Sequence, residues 1–242
     1  STTLEGPLTA EVAILQGTAG STGTPRTAQI SPAAELANLR GLIARVNIDE
    51  KSRLQSWLPI YHDMGLAVML VSTLAQADLW QAPTKAFAGN PFGWLNWLHE
   101  SEATMTAAPN MAFNIIGKYA SGLSGLNLSN LGYTLNGGEP VDCDGYARFS
   151  AEMARFGFNP NSLSPSYGLA ESTCAVTIPE PFNGLRIDEV AVTTDAGEST
   201  RRFAVLGHPI DGMELRVNTE QPHATEVTGR EVGEIEIRGT SL

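Results

Sequence analysis

The feature that most constrains the fold is an alternation of short apolar runs with segments of helical periodicity over residues 11–164. The runs that predict buried strands lie at 11–16, 54–58, 105–107, 131–135 and 162–164. The segments that predict helices lie at 32–46, 65–76, 91–101, 111–120 and 141–156. Strands that alternate with helices pair in parallel, and the helices cover the faces of the sheet. We therefore predict an α/β fold on a parallel sheet flanked by helices, with ligands beyond the carboxyl ends of the strands.

The pattern changes after about residue 175. Short β-like runs, separated by Gly, Pro and Asp, lie at 190–192, 205–206, 214–217 and 234–238. The polar stretch 218–230 has no apolar period and predicts an exposed hairpin loop. We predict two units, an α/β subdomain over residues 1–175 and a smaller, incomplete β-rich subdomain over residues 176–242.

Composition excludes several classes of protein. Apolar residues make up 42% of the chain and charged residues 17%, which suits a sizeable core and not a disordered chain. The formal net charge of −11 opposes a charge-driven grip on nucleic acid or anionic lipid. The apolar run that begins at Leu66 is broken by polar residues from Ser72 on, far short of the roughly 20 residues that a membrane helix needs. Cys143 and Cys174 form no paired framework, so we expect a reduced, cytoplasmic compartment. From the short apolar run and the negative net charge we expect no membrane span and no nucleic-acid partner.

A glycine-rich loop over residues 17–26 directly follows the first predicted strand. Its three glycines let backbone amides converge on an anion, and its hydroxyl side chains add donors for phosphate oxygens. Arg26 adds a fixed positive charge. No Gly-Lys-Ser/Thr follows, so this is not a Walker A loop. The alternative is a flexible surface turn, which such a composition also suits.

The full string of this loop resembles the phosphate loop of the adenylate-forming superfamily, which includes acyl-CoA synthetases, fatty acyl-AMP ligases and peptide-synthetase adenylation domains. Ala19 replaces a serine of that loop, and Arg26 stands where lysine is common. Further motifs follow in the order of the family: YHDMG at 61–65, NGGEP at 136–140, YGLAES at 167–172, GHP at 207–209 and GEI at 233–235. The resemblance spans nearly the whole chain and implies a fragment of the large N-terminal domain of such an enzyme.

The resemblance implies roles for individual residues, with ATP and Mg²⁺ as cofactors. His62 would lie beside the substrate carboxylate and the α-phosphate, and Glu171 would coordinate Mg²⁺, which prefers oxygen ligands. Tyr167 would stack on adenine. The remaining predicted nucleotide-binding residues belong to the three loops: Thr18, Gly20, Ser21, Thr22, Gly23, Thr24 and Arg26; Gly137, Gly138, Glu139 and Pro140; and Gly168. Without the neighbouring motifs, Tyr167 would be an ordinary half-buried aromatic residue, Glu171 a helix first-turn charge and His62 a core or surface histidine.

The residues in and around the motifs are most similar to those of mycobacterial fatty acyl-AMP ligases, for example Trp57-Leu58-Pro59-Ile60 and Ala170 of the YGLAE string. The resemblance implies that a fatty acid is activated with ATP to acyl-AMP and pyrophosphate, and that the acyl group then passes to an acyl carrier protein. Transfer to coenzyme A is one alternative. A non-catalytic nucleotide- or acyl-binding module is another, because Ala19 and Ala170 depart from the family pattern and the family's catalytic lysine is absent from this piece.

Two further questions stay open at this point. Residues 172–206 could contain an insertion of the kind that is thought to block the use of coenzyme A. An apolar set could line an acyl tunnel or could be plain core: Trp94, Trp97, Leu98, Met111, Phe113 and Ile116.

Family members carry a long region before the phosphate loop, and a ribose-binding aspartate and a catalytic lysine after the last matched motif. We therefore expect this piece by itself to turn over hardly at all.

Overall fold

Strands and helices alternate along the part of the chain that the computed structural model describes, which is residues 11–18, 26–194, 197–220, 226–227 and 230–242. The α-helices are α1 (Pro32–Val46), α2 (Asp63–Leu74), α3 (Thr84–Gly89), α4 (Gly93–Glu100), α5 (Asn110–Tyr119) and α6 (Cys143–Met153). The strands up to residue 165 are β1 (Ile14–Gly17), β2 (Thr27–Ile30), β3 (Arg53–Ser56), β4 (Asp78–Gln81), β5 (Met105–Ala108), β6 (Tyr133–Asn136) and β7 (Leu163–Pro165). Those that follow are β8 (Tyr167–Gly168), β9 (Ala175–Ile178), β10 (Ile187–Thr194), β11 (Gly197–Ala204), β12 (His208–Pro209), β13 (Met213–Asn218), β14 (Glu226–Val227) and β15 (Glu234–Gly239).

The central sheet has five strands in the order β4-β3-β5-β6-β7, and all of its pairs are parallel. Every residue of β5 and β6 is buried, as expected for strands with helices on both faces. Helices α2 to α6 lie in the connections between these strands along the chain. The predicted α/β class, with a parallel sheet flanked by helices, is therefore confirmed.

Helix α1 has the bounds that the sequence predicts. The Ser31 side chain accepts a hydrogen bond from the backbone N–H of Ala34, and Pro32 occupies the first turn. Leu39, which belongs to the predicted inward face, is buried. The helix ends at Asn47, whose φ of 58° and ψ of 48° lie in the left-handed region. Local signals at both ends thus define this helix.

The helices and the sheet enclose a core rich in aromatic rings. Trp57 stacks on Phe87, with ring centroids 3.6 Å apart. Trp94 and Phe113 meet edge to face at 5.5 Å, and Phe113 lies 5.0 Å from Phe149. Such pairs contribute about 0.5–1.5 kcal/mol beyond their buried area. The cluster ties α3, α4, α5 and α6 to the sheet.

The first strand does not join the central sheet. Instead β1 pairs antiparallel with β2, with Ile14 opposite Ile30 and Gly17 opposite Thr27. The sequence analysis missed β2, since its residues Thr27–Ile30 alternate polar and apolar without a continuous apolar run. The glycine-rich loop therefore connects the two strands of a hairpin.

The β-rich character after residue 175 is confirmed, with two differences. Val205 and Leu206 form no strand, because the long hairpin of β10 and β11 ends at Ala204. Glu226–Val227, inside the predicted loop, forms β14 and pairs with β10. Strands β13 and β15 form the predicted hairpin, with Met213 opposite Gly239. Mostly polar residues build β11, so apolar patterning gave no signal for it.

A small antiparallel sheet in the order β12-β9-β8 draws strands from both sides of residue 175. The division into units at 175 and 176 stays a prediction. None of the helices in the described ranges is long and apolar enough to cross a membrane.

Candidate functional site

One cavity of about 690 Å³ lies beside the central sheet. Its polar part is lined by loops that follow the carboxyl ends of β3, β6 and β7, which is the edge where the sequence analysis expects ligands. The predicted site residues that line it are Thr18, Arg26, His62, Gly137, Gly138, Tyr167, Gly168 and Glu171. The tertiary structure thus gathers residues that are more than 140 positions apart in the chain.

The two ends of the glycine-rich loop meet at this cavity. The backbone N–H of Thr18 donates to the carbonyl of Arg26 at 2.8 Å, and the N–H of Arg26 donates to Thr18 Oγ1 at 3.1 Å. Buried Gln16 donates from Nε2 to the carbonyl of Tyr61 at 3.1 Å, which ties this hairpin to the YHDMG loop. The central residues of the predicted phosphate loop lie outside the described part of the chain: Gly20, Ser21, Thr22, Gly23 and Thr24.

His62 lies at the N-terminus of α2, and its side chain is 50% exposed. Its Nδ1 lies 2.7 Å from Asp63 Oδ1. This hydrogen bond, together with the negative charge of Asp63, raises the pKa of His62 above its ordinary 6.5, against the opposing effect of partial burial. The imidazole therefore stays cationic to a higher pH than a free histidine, which suits a site for an anion.

The close packing around Gly65 explains why the YHDMG motif ends in glycine. A Cβ there would lie 2.2 Å from the carbonyl oxygen of Pro59, so only glycine lets the first turn of α2 fold back on the preceding loop. The same turn contains Asp63 and presents His62 to the cavity.

The loop after β6 contributes only part of its predicted set to the cavity. Gly137 and Gly138 line it, and Gly138 has a φ of 85°, a conformation that favours glycine. The Glu139 carboxylate instead accepts the backbone N–H of Met111 at 2.8 Å and so caps the N-terminus of α5. Glu139 and Pro140 do not line the cavity, and their nucleotide-binding role stays a prediction.

The YGLAES motif forms β8 and the turn after it. Tyr167 is half-buried at the cavity, and burial together with the nearby Glu171 charge raises the pKa of its phenol, which therefore stays neutral. Glu171 lies on a short 3₁₀ turn, Ala170–Ser172, and its exposed side chain lines the cavity. Gly168 packs so tightly that a Cβ would lie 1.9 Å from the carbonyl oxygen of Cys174.

The carboxylates of Asp63 and Glu171 line the cavity, and because Asp63 contacts His62, Glu171 is the carboxylate that suits Mg²⁺ bound to a nucleotide. Within the described ranges, no three His, Cys, Asp or Glu side chains form a metal-binding group. Magnesium usually binds proteins through one or two carboxylates and takes its other ligands from substrate phosphates and water. The donor set of the cavity fits that mode and does not fit a closed metal site.

The rest of the cavity is apolar, and the sequence analysis did not identify its wall. The wall residues come from α1 and the turn after it, α2, the central sheet and β9: Leu42, Ile48, Leu54, Ala67, Val68, Val71, Met105, Ala107, Leu135, Ala175 and Ile178. The only signal in the sequence was the almost continuous apolar character of α2 directly after the YHDMG motif.

The apolar set considered as a tunnel lies elsewhere. Trp94, Leu98, Phe113 and Ile116 are fully buried core residues, and neither they nor Trp97 and Met111 line the cavity. The structure favours the core alternative for Trp94, Leu98, Phe113 and Ile116, whereas Met111 is 47% exposed. The cavity thus combines an anion-compatible mouth with an apolar interior, as a ligand with a charged head and a hydrocarbon tail requires.

Comparison with known proteins agrees with this arrangement. The sequence matches the family described as AMP-binding enzyme over residues 4–242. It is 34% identical over 251 residues to the long-chain-fatty-acid–AMP ligase FadD32 of Mycolicibacterium smegmatis, covering 96% of this chain and 39% of that protein. It is 28% identical over 245 residues to the medium-chain-fatty-acid–acyl-carrier-protein ligase TtuA of Teredinibacter turnerae, covering 96% of this chain and 38% of that protein.

A solved structure shows the same fold. The fatty acyl-adenylate ligase of L. pneumophila, in complex with acyl adenylate and pyrophosphate, superposes with a TM-score of 0.83 at 28% identity, over 95% of this chain and 42% of that chain. The chain spans less than half the length of each of these relatives. With a family match over nearly all of its length, and with family motifs gathered on one cavity, the chain belongs to the AMP-binding enzymes, the adenylate-forming family of ligases.

Proposed function

We propose that the whole protein activates a fatty acid with ATP. The carboxylate oxygen attacks the α-phosphorus, the bond to pyrophosphate breaks, and acyl-AMP stays bound. One observation carries this proposal: the ends of the glycine-rich loop, the Gly137–Gly138 loop, Tyr167 and Glu171 share a cavity with an apolar interior. The relatives named as fatty-acid ligases support the same reaction.

In this proposal the nucleotide occupies the polar mouth. Tyr167 stacks on adenine, and the backbone at Gly137 and Gly138 approaches the other side of the ring. The glycine-rich loop, whose ends are Thr18 and Arg26, wraps the β- and γ-phosphates through backbone amides and hydroxyls. Bound Mg²⁺ would neutralise phosphate charge there, with Glu171 as its protein ligand. Catalysis is then positioning and electrostatic stabilisation, without a covalent protein nucleophile.

The fatty acid occupies the apolar interior with its carboxylate toward His62. Each buried methylene contributes about 0.8 kcal/mol, so the walls from α1, α2 and the sheet supply much of the affinity. His62, whose pKa is raised by Asp63, keeps its positive charge to a higher pH than a free histidine and offers that charge to the carboxylate. Cationic His62 thus orients the acid toward the α-phosphate.

The proposed acceptor is the phosphopantetheine thiol of an acyl carrier protein. The relative TtuA, named as an acyl-carrier-protein ligase, supports this choice. The β10–β11 hairpin occupies about half of the 172–206 segment, and the ion pair of Arg202 with Asp144 connects it to α6. In this proposal the hairpin is the segment that restricts access by coenzyme A. A reduced, cytoplasmic setting suits the two free thiols, Cys143 and Cys174.

The test is ATP–pyrophosphate exchange driven by dodecanoate in the full-length protein. Glu171→Gln should abolish most of the exchange, because the amide is a poor Mg²⁺ ligand. Glu50→Gln, an exposed residue away from the cavity, is the matched control and should leave exchange unchanged. Absence of exchange in the unmodified full-length protein would favour the non-catalytic binding module.

A second assay decides the acceptor. Full-length protein loaded with acyl-AMP is offered holo acyl carrier protein and coenzyme A together, and both thioester products are quantified. Predominant acyl carrier protein product supports the proposal. Predominant acyl-coenzyme A would replace it with the coenzyme A ligase alternative.

A further inference from the structure

Asn38, on α1, is a buried asparagine with three hydrogen bonds to a distant loop. Its side chain is fully buried. Its Nδ2 donates to the carbonyl oxygens of Ser172 at 3.2 Å and Ala175 at 2.8 Å. Its Oδ1 accepts the backbone N–H of Ala175 at 3.1 Å. A single side chain thus satisfies backbone groups on both sides of Thr173.

The backbone at Thr173 is in a rare conformation. Its φ is 73° and its ψ is −62°, and the N–H of Cys174 donates to the carbonyl of Ser172 at 2.9 Å. These values define a γ-turn of the strained, positive-φ type, which a β-branched residue seldom adopts. Thr173 Oγ1 also donates to the carbonyl of Ser241 at 3.0 Å. Strain of this kind persists only where surrounding contacts hold it, and such residues cluster at functional sites.

The strained turn lies two residues after Glu171. The 3₁₀ turn that holds Glu171 is bounded by buried Ala170 and Ser172, so the exposed carboxylate projects from a backbone that is fixed on both sides. We propose that Asn38 is a positioning residue, which holds the γ-turn at Thr173 and thereby fixes the Glu171 carboxylate at the nucleotide end of the cavity. The inference rests on the proposed role of Glu171 in the reaction.

The position of Asn38 in the chain gives this contact a further meaning. Helix α1 follows β2, the strand after the glycine-rich loop, so α1 connects the proposed phosphate loop to the proposed metal ligand. Groups that orient a metal ligand typically change metal affinity or activity by about 10–100-fold when they are removed. A purely structural asparagine would lower stability and leave the metal requirement unchanged.

The experiment measures the Mg²⁺ concentration for half-maximal ATP–pyrophosphate exchange in full-length Asn38→Ala. We expect it to rise about tenfold or more, with a fall in kcat of similar size. In the Glu171→Gln background, Asn38→Ala should have little further effect, since residues that act as a unit are not additive. Independent effects that multiply, or an unchanged Mg²⁺ requirement, would overturn the inference.

A second readout needs neither nucleotide nor metal. Hydrogen–deuterium exchange of the segment 169–174 should become faster in Asn38→Ala, and unchanged exchange would contradict the proposal. Leu39→Ala, the adjacent buried residue of α1, is the stability control and should leave the Mg²⁺ requirement as it is. If Asn38→Ala does not fold, Asn38→Ser replaces it, because it removes the amide and keeps a neutral polar group without burying a charge. An unaltered Mg²⁺ requirement in Glu171→Gln would instead refute the role of Glu171 itself.

Discussion

Gly168, next to Tyr167 in β8, lies where no side chain fits. A Cβ there would stand 1.9 Å from the carbonyl oxygen of Cys174 and 3.1 Å from the Cα of Ala175. Both are backbone atoms, so neither can rotate away as the end of a flexible side chain can. Gly168→Ala therefore tests whether the close packing of β8 on the Glu171 turn sets the geometry of the site.

The size of the effect follows from these distances. Real Cβ contacts essentially never fall under 3.0 Å, so β8 and Cys174 must separate by about 1.1 Å. Overpacking of this kind lowers the free energy of unfolding by about 1–3 kcal/mol. A misplacement of about 1 Å in a catalytic site can lower the rate about 100-fold. We expect both effects in Gly168→Ala, because the displaced strand contains Tyr167.

The assays are urea unfolding and ATP–pyrophosphate exchange in the full-length protein, the latter under conditions where the variant is folded. Gly89→Ala is the matched control: it lies at the end of α3, and its Cβ would meet no atom within 4 Å. The control should keep its exchange rate. A Gly168→Ala protein with an unchanged unfolding midpoint would refute the packing argument, and one that is destabilised but exchanges at the normal rate would refute the link to the site.

Three further variants test other parts of the molecule. Asp63→Asn removes the partner that raises the pKa of His62, so the KM for the fatty acid should begin to rise at a lower pH; an unshifted KM–pH profile would contradict this. The stabilisation from the His62–Asp63 pair is present in full below pH 6.5 and is lost as the pH rises through the raised pKa, so Asp63→Asn should lower the unfolding midpoint more at low pH than at high pH. Val71→Phe fills the apolar wall and should shift the preferred acid to a shorter chain, with about fourfold in kcat/KM for each methylene excluded; an unmoved optimum across a series of even-numbered acids would argue against the acyl pocket. Asn47→Gly relieves the left-handed cap of α1 and should raise the free energy of unfolding by about 0.5–1 kcal/mol, which chemical denaturation measures and which a loss of stability would exclude.

Elements defined by local signals were predictable. Helix α1 has its cap at Ser31, proline in its first turn and an apolar period, and the sequence predicts both of its ends. Strands β5 and β6 are buried on both faces, and each was predicted from a short, mostly apolar run between two segments of helical periodicity. Elements without such a signal were missed. The edge strand β4 and the polar strand β11 take their structure from backbone pairing with a neighbour, which no local pattern records.

The motifs likewise predicted several residues that meet at the cavity, because each motif depends on a few adjacent residues with special backbone freedom or charge. Gly65, Gly138 and Gly168 are examples, since each allows a turn or a close approach that a Cβ would block or strain. Motif residues still depend on their neighbours in space: the Glu139 side chain caps α5.

The sequence by itself determined the alternation of strands and helices, the family motifs and the polar mouth of the site. Only the tertiary structure decided the apolar wall and the contact of Asn38 with Ser172 and Ala175, 134 and 137 positions away. The physical reason is that burial and hydrogen bonding between distant residues depend on how the helices and strands pack together in three dimensions. A leucine on α1 is the same leucine in the sequence whether it faces a cavity or the core.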